Sequence, residues 1–374
     1  MQPTARRTLR ISVLVAAITL PLALAFLASA QQPSPAAKAK TTEEVFKNIK
    51  SLKGKPASEL IPTMEFMANS LGVKCEFCHD MKAFDKDTKD EKRTAREMIA
   101  MQEGINRGHF KGKREVTCNT CHHGQQHPAA VPTLAELSAP IPEPAHEHGA
   151  HHPPQLASPT LYLDQFYTAA GGEAALARLT SRTLRGEVTY SEGPQLSFES
   201  FARASGPRAE SISLKDGPAR SISSGHSGYL TYPGRPTRRM SSGEVEAERV
   251  ETDFEFPSNF KQRYTQFRPG IPEQISGKPV NVLIASRPGE PPVRLYFDQA
   301  SHLLVRLIYY VETPLGRNPT QIDISRYSES SGLQLPAQWV VTRPDSRATY
   351  VVASADNQSP IDESRFSPPS EVAH

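Results

Sequence analysis

Over residues 58 to 71, Leu60, Met64, Met67 and Leu71 share one face at helical spacing, with Ser58 placed to cap the run and Gly72 to end it. Pro62 falls in the first turns, where a missing N–H is least harmful. A second helix is expected over residues 90 to 108, carrying Met98 and Met101 three apart. A short one follows Thr41, where Thr41-Thr42-Glu43-Glu44 forms a capping box ahead of Val45, Phe46 and Ile49. The stretch 80 to 91 between them is a polar loop. After residue 160 the period changes. One helical stretch over 161 to 179 is broken by Gly171-Gly172. Short alternating or β-branched runs then follow at 183–190, 196–204, 209–214, 280–286, 293–298, 303–312, 320–327, 335–342 and 349–355. Glycine, proline, serine and asparagine separate them as in successive hairpins, and Phe297 to Leu303 reads as one such turn. The expected fold class is multidomain. A mostly α module is followed by an antiparallel β domain, an open half-barrel or curved sheet, with one helix.

Composition marks the boundaries. Eight prolines lie between His127 and Pro159, and His146, His148, His151 and His152 cluster among them, a composition suited to an extended linker. The cations switch from 13 Lys and 4 Arg in residues 31–127 to 3 Lys and 20 Arg in residues 128–374. We therefore divide the chain into residues 1–30, a signal peptide; 31–127, the helical module; 128–159, a Pro/His-rich linker; 160–368, the β-rich domain; and 369–374, a tail.

Residues 1–30 hold Arg6, Arg7 and Arg10 and no acid, then an apolar run from Ile11 to Leu27 and the small residues Ala28-Ser29-Ala30. That is the form of a cleavable signal. An uncleaved membrane anchor is the alternative, because the run is close to the minimum length for spanning. Either way the rest of the chain is expected in the periplasm or on the outer face of the cytoplasmic membrane. The formal net charge of +3 belongs to this segment, leaving 40 basic and 40 acidic residues behind it. With 37% hydrophobic residues, that balance excludes a disordered chain and a nucleic-acid binder.

Export makes the cysteines informative. All four lie in two C-x-x-C-H motifs, Cys75-Glu76-Phe77-Cys78-His79 and Cys118-Asn119-Thr120-Cys121-His122. On one helical turn, cysteines at i and i+3 present both sulfurs to the two vinyl groups of a haem, and the following imidazole meets the iron from the same side. A redox dithiol would be single and set in a βα pattern, and a four-cysteine zinc site would leave both histidines unexplained. The expected cofactors are two covalently bound c-type haems. Cys75, Cys78, Cys118 and Cys121 form the thioethers, with His79 and His122 as proximal ligands. For the sixth position of the first iron, Met64 and Met67 are both placed on the preceding helix, and Met64 is taken. For the second, Met101, His109 and His127 are candidates, and Met101 is taken. Lys47, Lys50, Lys53 and Lys55 form a basic cluster that is either a solvated face or a docking surface for an acidic redox partner.

From Thr42 to Gly124 these residues resemble the photosynthetic reaction-centre cytochrome c subunit family, in which a methionine-bearing helix turns into each C-x-x-C-H. The segment Ile61-Pro62-Thr63-Met64 through to Cys78-His79 looks like one such unit, and Met98-Ile99-Ala100-Met101 leading to Cys118 looks like the next. The resemblance implies an electron carrier and maps the family's distal methionine onto Met64. Family members that serve a reaction centre typically hold four haems, against two motifs here, and the distal ligand of the last haem does not carry over. The C-terminal strand succession faintly resembles the half-barrels of lipoprotein-sorting (LolA-like) proteins, without a motif.

These features imply an exported dihaem cytochrome that passes electrons between redox proteins, such as a membrane electron-transfer complex or a reaction centre. The β domain would dock a lipid, a lipoprotein or a partner. It is read as a carrier with no catalytic residue. The alternatives are a dihaem peroxidase-like enzyme with one open iron, and a lipid carrier with redox-sensing haems. No nucleophile elbow, H-E-x-x-H or phosphate loop appears. His226 and His302 read as surface or turn residues, and Trp339 as core.

Overall fold

The computed structural model describes residues 39–128, 158–191 and 193–369. The expected signal segment, most of the expected linker and nearly all of the expected tail lie outside the described residues. In the helical region, α1 (Thr42–Val45) opens on the expected capping box, Thr41 N–H donating to Glu44 Oε2 at 2.6 Å. Ser58 is not a cap. It lies inside a 3₁₀ turn, Ala57–Glu59, that leads into α2 (Leu60–Leu71), because Pro56 already sets the extended residue before the turn. The hydroxyls of Thr63 and Ser70 bond back to Glu59 O and Phe66 O, which satisfies them inside the buried face of α2. Helices α3 (Cys75–Cys78), α4 (Asp90–His109) and α5 (Cys118–His122) follow.

The second region begins with α6 (Pro159–Ala169) and α7 (Glu173–Ala177), parted at Gly171 and Gly172, which both take positive φ. Then come β1 (Ser181–Tyr190), β2 (Gln195–Arg203), β3 (Arg208–Leu214), β4 (Gly217–Ser223), β5 (Gly228–Thr231) and β6 (Arg238–Arg239). Two helices interrupt the strands, α8 (Ser242–Glu255) and α9 (Asn259–Arg263). The chain closes with β7 (Gln266–Pro269), β8 (Glu273–Ile275), β9 (Lys278–Ser286), β10 (Val293–Asp298), β11 (Leu304–Glu312), β12 (Arg317–Ser330), β13 (Leu333–Arg343) and β14 (Ser346–Asp356). All pairs are antiparallel, in the order β6-β5-β4-β3-β2-β1-β14-β13-β12-β11-β10-β9-β7, with β8 beside β9. The sheet is one open meander in which β1 pairs with β14, and its fold class is the expected one.

Helix α8 was not among the expected elements. Its capping box is legible at Ser241 and Glu244, whose backbone and side chains bond reciprocally at 3.2 and 2.8 Å. The helix lies against β2, β3 and β11, and sends Val250 and Phe254 into the same core as Phe166 and Tyr167 of α6 and Leu295, Leu307 and Trp339 of the sheet. The expected turn after β10 is held by Asp298, which accepts from Ser301 N at 2.7 Å while His302 takes φ 58°.

The helical region docks on the hairpin between β11 and β12. Leu315 at its tip is buried among Leu52, Leu60, Phe66 and Ile99, a burial worth about 2 kcal/mol. Polar contacts surround it. Arg114 Nη1 donates to Thr313 O at 2.6 Å and Arg114 pairs with Glu312, while Gln102 Nε2 donates to Leu315 O at 3.3 Å. Glu59 accepts from the Ser242 hydroxyl at 2.9 Å, and Asn69 donates to Asn318 at 3.1 Å. The described residues on both sides belong to one compact unit.

A Cβ on Gly316 would overlap the Phe66 ring. Gly316→Ala is therefore expected to destabilise the protein by about 1–3 kcal/mol through overpacking at this junction, as read from chemical unfolding. An unchanged midpoint would show that the junction carries no stability.

Candidate functional site

Each C-x-x-C-H forms a single helical turn with its own supports. Gly72 ends α2 at φ 65° and turns the chain directly into α3. His79 N–H closes α3 on Cys75 O at 3.0 Å, so the two thiols lie three residues apart on one turn. His79 Nδ1 is 3.0 Å from Phe84 O. A carbonyl only accepts, so Nδ1 carries the proton and the Nε2 lone pair is left free. Burial, opposed by that hydrogen bond and reinforced by Lys92 and Arg96, holds the His79 imidazolium pKa below its ordinary value. The neutral ring is the form that ligates a metal.

The second motif repeats this arrangement with different residues. Thr117 and Thr120 bond reciprocally to start α5, and His122 Nδ1 lies 3.0 Å from Gln125 O, again leaving Nε2 free. Gly124 N–H donates to Ser70 O at 2.8 Å, and any Cβ on Gly72 would strike Gly124, so the end of α2 rests on the end of the second motif. None of the four cysteines is in a disulfide. Cys75 and Cys121 are exposed, while burial pushes the Cys78 and Cys118 thiols up.

The distal candidates divide between two environments. Met64 and Met67 pack against the cluster around Leu315, which also receives Cys118; α2 lies against α5, and α3 against α4. Met98 and Met101 on α4 are exposed, Met101 by 50%. His109 and His127 are also exposed. Among the described residues, six of the ten exposed large apolar side chains fall in this region, among them Met81, Phe84, Met101 and Phe110. So much apolar surface in a small helical region suits a large flat apolar group. Two thiols and one free imidazole nitrogen per motif, beside that surface, fit c-type haem.

The loop 80 to 91 holds a residue that the polar pattern concealed. Asp87 accepts from Arg96 through both oxygens at 2.9 and 3.0 Å, from Asn48 at 2.8 Å and from Lys50 at 2.9 Å. Lys92, buried, lies 3.3 Å from Asp87 and donates to Phe84 O at 2.8 Å, the carbonyl that His79 uses. Asp87 thus ties the loop that orients His79 to α4 and to the segment after α1. Lys50, read as part of a basic cluster, is one of its partners. The hydrogen bonds from Arg96 and Lys50 hold the Asp87 carboxyl well below the usual carboxylate range. Only its charge and its place in a loop were visible in the sequence.

Comparison with known proteins supports the two resemblances. Residues 19–168 match the family model described as photosynthetic reaction centre cytochrome C subunit. The C-terminal region resembles LolA-superfamily structures. A Vibrio parahaemolyticus domain provisionally described as an outer membrane lipoprotein-sorting protein is 13% identical, covers 55% of this chain and 97% of its own, and superposes at a TM-score of 0.39. A LolA superfamily protein from Nitrosomonas europaea is 8% identical over 57% of this chain and 98% of its own, also at 0.39. A DUF1329 family protein from Desulfovibrio piger is 13% identical over 55% and 97%, at 0.35. None of the curated proteins matches by sequence. Among the described residues no helix is long and apolar enough to cross a membrane.

The Asp87 clamp has a defined pH signature. Its folded pKa lies below the ordinary 3.8, so its contribution is complete above that value and is lost only as pH falls through the lower one. Asp87→Ala should lower the melting temperature at pH 7, with the gap to the native protein holding down to about pH 4 and narrowing below it. A gap that instead closes between pH 7 and 5 would assign the effect to other groups.

Proposed function

We propose that this chain is an exported dihaem c-type cytochrome that transfers electrons between redox proteins. The observation that carries the reading is the repeated geometry at His79 and His122. In each motif Nδ1–H is donated to a backbone carbonyl three to five residues downstream, which fixes the tautomer and leaves Nε2 beside a cysteine pair. Each haem supplies a one-electron iron couple. Cys75 with Cys78, and Cys118 with Cys121, would anchor the two groups, and His79 and His122 would ligate the irons through Nε2 as the proximal ligands. Met64 is assigned to the distal side of the first and Met101 to that of the second, following chain order and the family resemblance. A thioether in the sixth position favours ferrous iron and closes the site to exogenous ligands, which opposes the peroxidase-like alternative.

Residues 1–30 direct export to the periplasm or the outer face of the cytoplasmic membrane, and residues 128–159 link the haem module to the β domain. The family match supports a redox partner of the reaction-centre type, that is, re-reduction of an oxidised donor in photosynthesis. A respiratory complex is the partner in an organism without one.

Haem quantitation by the pyridine method should give two haems per chain, and the reduced protein should not bind carbon monoxide. Rapid carbon monoxide binding by one haem together with peroxide turnover would establish the enzyme reading instead. Met64→Ala should remove the methionine-to-iron charge-transfer band of one haem only and open that haem to carbon monoxide. Repeating the substitution in a Cys75→Ala/Cys78→Ala chain identifies which haem it serves. An unchanged band would reduce Met64 to packing.

A further inference from the structure

A cavity of 380 Å³ lies on the sheet beneath α8, closed on one side by Glu65 and Asn69 of α2. Its deep wall is ionic. The guanidinium of Arg208, with a side chain 7% exposed, faces four carboxylates: Glu210 at 3.0 Å, Glu248 at 2.8 Å, Glu251 at 3.2 Å and Glu255 at 3.1 Å. Arg343 reaches Glu251 at 3.5 Å from the rim. Arg182, also buried, donates to the backbone oxygen of Glu255 at 3.3 Å, so three guanidinium groups stand against four acids and one negative charge is in surplus. Burial raises the carboxyl pKa of Glu210 and Glu248 against the attraction of Arg208. Glu255, 3% exposed, keeps one oxygen, Oε2, buried without a hydrogen-bond partner. Buried negative charge in excess of its partners is costly, and it is relieved either by a proton or by an external cation.

The rest of the lining narrows the class of cation. Trp339 stacks on Tyr350 with ring centres 5.4 Å apart, and Phe254 meets Trp339 edge-on at 5.5 Å. Tyr309 donates to Glu251 at 2.6 Å. Aromatic faces beside carboxylates are the surroundings that hold an ammonium group. Among the described residues no group of three or more His, Cys, Asp or Glu is arranged to hold a metal ion, since the four acids are spread around Arg208. An acyl chain entering here would bury the same charges without pairing them.

We propose that this cavity binds a small organic ammonium cation, with Glu255, Glu248 and Glu210 supplying the charge and the Trp339–Tyr350 wall the π face. The site is independent of the haem reading. Calorimetric titration of the haem-loaded full chain with putrescine, spermidine and tetramethylammonium, against palmitate and Ca²⁺ in parallel, tests it. Saturable amine binding that weakens with salt is expected. Glu255→Gln should reduce it about tenfold while melting at or above the native temperature, because one surplus buried charge is removed. Tyr232→Ala, at the exposed mouth, should reduce it about threefold and provides a second variant if the first fails to fold. Binding of palmitate or Ca²⁺ with none of any amine, binding of no probe, or an unaltered amine affinity in the folded variants would overturn the proposal.

Discussion

The contact on which the rest depends is the insertion of Leu315 and Gly316 against α2 and α4. A region of this size, with four-residue and five-residue helices, has little core of its own. Its largest apolar cluster is completed by Leu315, which belongs to the β region. Close approach at that tip is possible because Gly316 has no side chain, so the far end of the Phe66 ring can abut the hairpin. Arg114, Gln102 and Asn69 then satisfy backbone and side-chain polar groups around the junction. The helices that present the two motifs are therefore held by the sheet as well as by each other.

Rigidity at that junction matters because metal ligation needs a fixed imidazole plane. For His79 the orientation passes through Phe84 O, which Lys92 also engages, and from there to Asp87 and its four partners. For His122 it passes through Gln125 O, next to Gly124, which is bonded to α2. The two sites use different supports for the same end, and α2 contributes to both neighbourhoods. The same helix also borders the acidic cavity through Glu65 and Asn69. The two C-x-x-C-H motifs and the cavity are thus built against one element.

Much of the secondary structure was legible because the signals were local. Helices α2 and α4 followed from spacing and from Gly72, and the long strands from β12 to β14 from alternation and turn residues. Strands β4 to β8, with α8 and α9 among them, were missed for physical reasons. The strands are short, and their burial is partial, so few apolar residues mark them. Helix α8 carries five glutamates, several of which point inward to Arg208, and a helix whose buried face is partly charged lacks the apolar stripe by which amphipathic helices are read.

By itself the sequence determined the two C-x-x-C-H spacings on which the proposed haem attachment rests, since that chemistry would need only residues i, i+3 and i+4 of one turn, and those are fixed by covalent spacing. It also determined the order of a helical region before a β region, through the change of period and of cation. The tertiary structure alone decided that α2 rests on the second motif, that Asp87 orients the loop behind His79, and that four acids from β3 and α8 converge on Arg208. Each of these joins residues far apart in the chain, and no local pattern records which side chains meet when a fourteen-stranded sheet packs against a helix.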